Sequence, residues 1–225
     1  MSNLAIIPAR GGSKRIPRKN IKNFHGKPII AYSIEAALSS NLFEEVIVST
    51  EDPEIAEVAQ KYGAKIPFLR SKENSDDYAT IADVILEVID SYENLNKSFD
   101  TVCCIFSTAP FISVNKIIEG FELMNAKAYD SVFTIQRHSY PIWRSLKITN
   151  DRLNLIWPEN LNKRSQDLIE TYHDAGQFYL AKTEAFKKEK TFMLNNCGGM
   201  EIGALEGLDI DTLEDWDIAE KLYRL

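Results

Sequence analysis

Apolar runs of strand length alternate with stretches of helical period through the first 137 residues of the chain. "LAIIPA" is a continuous apolar run closed by Pro8 and then by Gly11 and Gly12, which predicts a strand. "KPIIAYSIEAALSS" sets Ile30, Ile34, Ala37 and Leu38 at helical spacing, with Pro28 suited to the first turn. "EEVIVST" predicts a second strand. "DPEIAEVAQKYG" predicts a helix with Asp52 as cap, Pro53 in the first position and Gly63 as stop. "AKIPFL" predicts a short third strand, and "TIADVILEVIDSYENL" an amphipathic helix carrying Ile81, Val84, Ile85, Val88 and Ile89 on one side. "DTVCCIFST" is apolar throughout, as a strand covered on both faces should be. "VNKIIEGFELMNA" then predicts a helix and "DSVFTIQ" a strand. Repeated units of this length imply an α/β chain with a mostly parallel sheet flanked by helices and right-handed crossovers.

The rhythm breaks after residue 137. Residues 138–172 hold two tryptophans, several other large apolar side chains and alternating polar ones, in a run too long for an ordinary connection. They predict a hairpin-like arm projecting from a single domain that spans residues 1–225. Aromatics on such an arm need cover, either from the arm's own domain or, the reading preferred here, from a second subunit. "GQFYLA" resumes the sheet, "EIGALEGLDIDT" predicts a further strand region, and "LEDWDIAEKLYRL" an amphipathic closing helix, with Glu214, Asp215 and Asp217 as acids of its first turn.

Composition narrows the function classes. The chain has 225 residues and a net charge of −7, which argues against broad nucleic-acid binding. No run approaches the ~20 apolar residues of a membrane span, and no signal-peptide pattern opens the chain, so a cytoplasmic protein without membrane partners is expected. Cys103, Cys104 and Cys197 make neither a disulfide framework nor a zinc pattern.

Charge then changes the picture. Residues 1–28 carry seven of the 26 lysines and arginines and none of the 33 acids. Most lie in "IIPARGGSKRIPRKN", a loop after a strand. It has neither the Walker A spacing nor a GxGxxG fingerprint, yet its glycines let the backbone turn closely around an anion, and Arg10, Lys14 and Lys19 suit a triphosphate. Open α/β sheets bind ligands at this end of their strands. In "GLDIDTLEDW", Asp209 and Asp211 are two apart, so an extended segment aims both carboxylates to one side. Capping the closing helix would explain Asp211 or Thr212 but not both acids, whereas Mg²⁺ suits the pair and keeps substrate phosphates in its sphere. Triphosphate with Mg²⁺ leaves a kinase, a nucleotidyltransferase or a glycosyltransferase open.

"IPARGGSKRIPRKN" and "DIDTLEDWDIAE" resemble the signature loop and the C-terminal metal motif of the cytidylyltransferases that activate acidic sugars, the CMP-sialic acid synthetases and their relatives. The resemblance runs the length of the chain and implies a Rossmann-like nucleotidyltransferase fold. Where the sialic acid enzymes carry a stretch like LQPTSPLR, this chain has "CIFSTAPFI", with Ser107 and Phe111 in place of Gln and Arg. "QRHSYPIWRSL" and "TYHDAGQFY" are similar to the branch that activates pseudaminic acid. The resemblance implies that Ala9, Arg10, Gly11, Ser13, Lys14, Asn20 and Lys22 surround CTP. It implies that Arg70, with Ala79 and Thr80, reads the pyrimidine, against the alternative of an ion pair from Arg70 to Asp76 or Asp77. Ser107, Thr108, His173, Asp174 and Gln177 would contact a nine-carbon acidic sugar, although His173 also suits a structural role. Asp209 and Asp211 would hold Mg²⁺, with Arg10, Lys14 and Asp211 catalytic, and residues 138–172 would reach into the partner of a homodimer. A synthetase for sialic, legionaminic or ketodeoxyoctonic acid, a glycosyltransferase and a non-catalytic CTP sensor are the alternatives.

Overall fold

A computed structural model describes residues 2–224. Its centre is a six-stranded sheet in the order β10-β6-β9-β5-β1-β4. Strand β1 (Asn3–Pro8) follows the "LAIIPA" run; the small hairpin of β2 (Asn23–Phe24) and β3 (Lys27–Pro28) precedes helix α1 (Ile30–Ser40). Then come β4 (Glu45–Ser49), α2 (Pro53–Lys61), α3 (Ile81–Asn94), β5 (Thr101–Ile105), α4 (Val114–Ala126) and β6 (Ser131–Arg137). The arm carries the two-stranded sheet of β7 (Leu146–Thr149) and β8 (Arg152–Leu155). Strand β9 (Tyr172–Lys182), α5 (Thr183–Glu189), β10 (Cys197–Glu201) and α6 (Leu213–Leu222) complete the order. Five strands share one direction, because β1 pairs in parallel with β4 and β5 and β10 with β6; β9 runs antiparallel between β5 and β6.

Strand alternation builds the layers. Ala5, Ile7, Val46, Val48, Cys103 and Ile105 face one core with α1, α2 and α4. Leu4, Ile6, Ile47, Val102 and Cys104 face the other, with α3 and Phe186 of α5. A third cluster lies beneath the loop after β1, where Ile16, Phe24, Ile29 and Tyr32 meet Ile210, Trp216 and Ala219. The helix starts follow the sequence: Asp52 accepts the N–H groups of Glu54 and Ile55, and Thr80 with Asp83 and Thr212 with Asp215 form capping boxes. Among the described residues no helix is long and apolar enough to cross a membrane.

Two expected strands differ. "AKIPFL" makes only an isolated bridge between Lys65 and Ile47, because Pro67 removes the next ladder donor. "EIGALEGLDIDT" holds only the last residue of β10; residues 202–212 form turns and extended chain without a ladder. The arm does turn as a hairpin, at Asn150 and Asp151, both with positive φ. Its far boundary is set by Tyr172, where β9 begins.

Candidate active site

The carboxyl ends of β1 and β5 open into a cavity of about 380 Å³. Arg10, Ser13, Lys14, Arg15, Lys19 and Asn20 line it from the loop after β1, Ser107 and Thr108 from the loop after β5, and Asp211 from the segment before α6. Asn20 joins the two loops. It is buried, donates to the Arg10 carbonyl at 2.8 Å and accepts the Ser107 hydroxyl at 2.9 Å. Gly11 is the close-approach glycine: a Cβ there would collide with the Asp52 carboxylate, and its N–H donates to Glu51 at 2.8 Å. That N–H is therefore engaged within the protein. The Ala9 N–H likewise donates to the Ser49 carbonyl, and Ala9 lies in the core while Pro8 and Arg10 line the cleft.

The cations that look unbalanced along the sequence are balanced in space. Arg10 pairs with Asp77 at 2.9 Å and donates to the Asp76 carbonyl at 3.0 Å, and Lys14 pairs with the other oxygen of Asp77. Lys14 first and Arg10 second hold the Asp77 carboxyl below its ordinary range. Arg15 and Lys19 reach Asp211 at 2.8 and 3.5 Å. Arg18 is taken by Asp52 and Glu54, and Lys27 by Glu35. Lys22 lies outside the cavity, its Nζ 3.9 Å from the centre of the Trp216 ring. Imbalance alone therefore does not mark the site; the convergence of Arg10, Lys14, Arg15 and Lys19 on one cavity does.

A recess of about 240 Å³ adjoins this cavity and shares Pro8, Arg10 and Phe106 with it. Arg70, Asn74, Asp76, Asp77, Ala79 and Thr80 line it. Arg70 is 7% exposed and does not pair with Asp76 or Asp77. Its Nε donates to the Ser49 hydroxyl at 3.0 Å and its Nη2 to the Ser49 carbonyl, which fixes the guanidinium plane at the recess. Burial lowers the pKa of its guanidinium. The Thr80 hydroxyl is committed to Asp83 in the cap of α3, so Thr80 lines the recess as a wall.

Beyond Thr80 and Ile81 lies a third recess of about 630 Å³. His173 and Asp174 stand in it with Phe133, Tyr172, Tyr179, Lys190, Phe192 and Met193. His173 Nδ1 bonds the Asp174 carbonyl at 2.8 Å, and its ring lies 4.9 Å from that of His138. Tyr179 donates to Asp174; burial and then that carboxylate push its phenol up. The expected sugar contacts thus divide. Ser107 and Thr108 belong to the first cavity and His173 and Asp174 to the third. Gln177 is buried, with its amide donating to the Glu206 carbonyl at 2.9 Å, and lines none of the three. Arg15 and the 190–193 wall are absent from the residues the sequence assigns to the site, and Asp77 enters there only as an alternative ion-pair partner of Arg70. The acidic doublet "DD" beside Arg70 and the "KR" doublet at Lys14–Arg15 were the available signals.

Asp209 and Asp211 flank Ile210, which is fully buried. Thr212 caps α6, which leaves the Asp211 side chain free of that duty. The surrounding protein first and the Asp211 charge second push the Asp209 carboxyl up from its ordinary 3.8, although its surface stays open to solvent. Two carboxylates that repel in this way fit a divalent cation. Among the described residues no group of three or more His, Cys, Asp or Glu could hold a metal by itself. A two-carboxylate site suits Mg²⁺, which takes its remaining oxygens from water and substrate phosphates.

The family profile described as Cytidylyltransferase matches residues 4–222. The chain is 42% identical, over its whole length and 97% of the relative, to a pseudaminic acid cytidylyltransferase of Campylobacter jejuni subsp. jejuni serotype O:23/36. It is 33% identical, again over its whole length and 97% of the relative, to the CMP-N,N'-diacetyllegionaminic acid synthase of Legionella pneumophila subsp. pneumophila. Its fold matches a CMP:2-keto-3-deoxy-manno-octonic acid synthetase solved with CTP, with TM-score 0.73, 19% identity, and coverage of 100% of this chain and 99% of that one.

Proposed function

The chain belongs to the cytidylyltransferase family, and from that membership we propose that it transfers CMP from CTP to the anomeric hydroxyl of pseudaminic acid, releasing pyrophosphate. The observation that carries the reaction is the cavity in which four loop cations face Asp211. Full-length identity of 42% to a pseudaminic acid enzyme supports the choice of sugar.

The cytosine enters the recess of Arg70, whose fixed guanidinium presents donors to the base carbonyl. Arg10, Ser13, Lys14 and Lys19 receive the triphosphate, with Asn20 holding the two loops in register. The acidic sugar occupies the third recess, where Phe133, Tyr179, Phe192 and Met193 suit its acylamino groups and Lys190 its carboxylate. The anomeric hydroxyl gives up its proton to solvent as its oxygen attacks the α-phosphorus, a P–O bond forms, and the bond to the β-phosphate oxygen breaks as pyrophosphate leaves in line. Positioning and charge neutralisation supply most of the rate, as in phosphoryl transfer generally. Asp209 and Asp211 are the residues that would hold Mg²⁺; when bound, it neutralises charge on the phosphoryl oxygens.

The apolar face of the arm serves a homodimer in this reading, and the enzyme works in the cytoplasm on a free sugar acid. The test of substrate is pyrophosphate release with CTP and Mg²⁺ over pseudaminic, legionaminic, N-acetylneuraminic and ketodeoxyoctonic acids. Release with pseudaminic acid at a kcat/KM at least tenfold above the others is expected. Preference for another acid would overturn the sugar assignment.

A further inference from the structure

The segment bearing Asp209 and Asp211 must cross the end of the sheet. It leaves β10 at one edge and delivers Asp211 to the loop after β1, four strands away. Four strand spacings are about 19 Å. Residues 202–211 can span up to about 33 Å when extended, so the chain has slack to lose. No ladder fixes it. Two buried amides meet it instead, in the order of the strands it passes.

Gln136, on β6, donates its Nε2 to the Gly203 carbonyl at 2.7 Å. Gln177, on β9, donates its Nε2 to the Glu206 carbonyl at 2.9 Å. These carbonyls bracket a turn closed by the Glu206 N–H on Gly203 at 2.9 Å, which takes up the slack. The fit is close: a Cβ on Gly207 would stand 2.7 Å from Gln136 Nε2. The two glutamines are 7% and 2% exposed, and among the described residues Gln177 Oε1 is buried with no partner. Removing the amide would leave the Glu206 carbonyl without its donor, so the one hydrogen bond Gln177 makes through its side chain ties it to the crossing segment. Beyond the turn, buried Ile210 and the Lys19 bond to its carbonyl at 2.7 Å pin the far end, with one carboxylate on either side.

We infer that Gln136 and Gln177 are positioning residues for the Asp209–Asp211 pair, a two-point latch that sets where the metal carboxylates stand over the phosphate loop. This rests on the reading of that pair as the metal site. It also takes Gln177 away from the sugar.

The test uses the full chain and the variants Gln136→Met and Gln177→Met, singly and together, beside Asp209→Asn and Asp211→Asn. Mn²⁺ is titrated into each without nucleotide and followed by water-proton relaxation; CTP binding is measured in EDTA; melting is recorded. Each methionine variant is expected to weaken Mn²⁺ binding roughly tenfold, in line with other residues that support metal ligands. CTP affinity in EDTA should stay within about twofold, with melting little changed. Unchanged Mn²⁺ affinity in both single variants, while the Asp variants lose it, would overturn the latch alone. Mn²⁺ affinity unchanged in the Asp variants would overturn the metal reading and the latch with it. A parallel loss of Mn²⁺ and metal-free CTP binding would mark general loosening and also overturn the latch. The single variants decide the matter if the double variant does not fold.

Discussion

Asp211 accepts Arg15 and Lys19, and its side chain takes no part in the cap of α6, which Thr212 and Asp215 close between themselves. Asp211→Ala should therefore cost little stability, because such partly exposed pairs are worth about 0–1 kcal/mol. It should lower kcat by about a thousandfold or more through loss of charge stabilisation at the phosphates. Steady-state kinetics with a melting curve checks both; normal turnover would remove Asp211 from the catalytic machinery. At this scale the sequence was informative about residue types and blind to their partners. The spacing of Asp209 and Asp211 around Ile210 could be read directly, since the alternation holds without a ladder. That Lys22 would lie on Trp216, or that Asp77 would hold Arg10 and Lys14, depends on residues more than sixty positions apart.

The segment from Arg70 to Thr80 links the Arg70 recess to the cavity lined by the loop after β1. Arg70 fixes one end, Thr80 caps α3 at the other, and Asp77 between them occupies Arg10 and Lys14, the two cations that the proposed function gives to the triphosphate. In that reading a triphosphate displaces the Asp77 carboxylate. Asp77→Asn is expected to tighten CTP binding in EDTA about threefold, read by calorimetry; weaker binding would make Asp77 part of the ligand site instead. Elements with strong local signals were legible: α2 from Asp52 and Pro53, α3 from its apolar stripe and Thr80, and β5 from its unbroken apolar run. Strand β10 was not, because "CGGME" is poor in strand formers; Gly198 and Gly199 are there because Tyr129 and Ile135 pack against the backbone. Nor was the reversal of β9 legible, since its apolar run reads alike in either direction.

Across the whole molecule, acid should act on distant carboxylates. Burial raises the Glu45 carboxyl, but Lys97, Tyr92 and Lys65 outweigh it and bring it from 4.5 to about 2. The hydrogen bond from Arg18 leads in bringing Asp52 from 3.8 to about 2. Both folded values lie below the unfolded ones. Their stabilisation, on the order of 2 kcal/mol each after solvent screening, is present above pH 4.5 and lost as pH falls toward 2. Thermal melts should drop across that window, and Glu45→Gln should flatten part of the drop; an unaltered acid limb would contradict the assignment. The arm presents another whole-molecule feature. Ile148 and Leu153 face each other across β7 and β8 at 75% and 65% exposure. In the dimer reading they lie at the interface, so aspartate at both positions should shift the mass seen by light scattering to that of a monomer. A dimer unaffected by the change would place the interface elsewhere.

The central claim, that this site performs nucleotidyl transfer, is tested most directly by following the α-phosphate. With CTP labelled there, Mg²⁺ and pseudaminic acid, the label should appear in a sugar-linked CMP while the released pyrophosphate stays unlabelled. Label remaining in CTP under conditions where CTP is bound, or appearing only as free CMP, would contradict it.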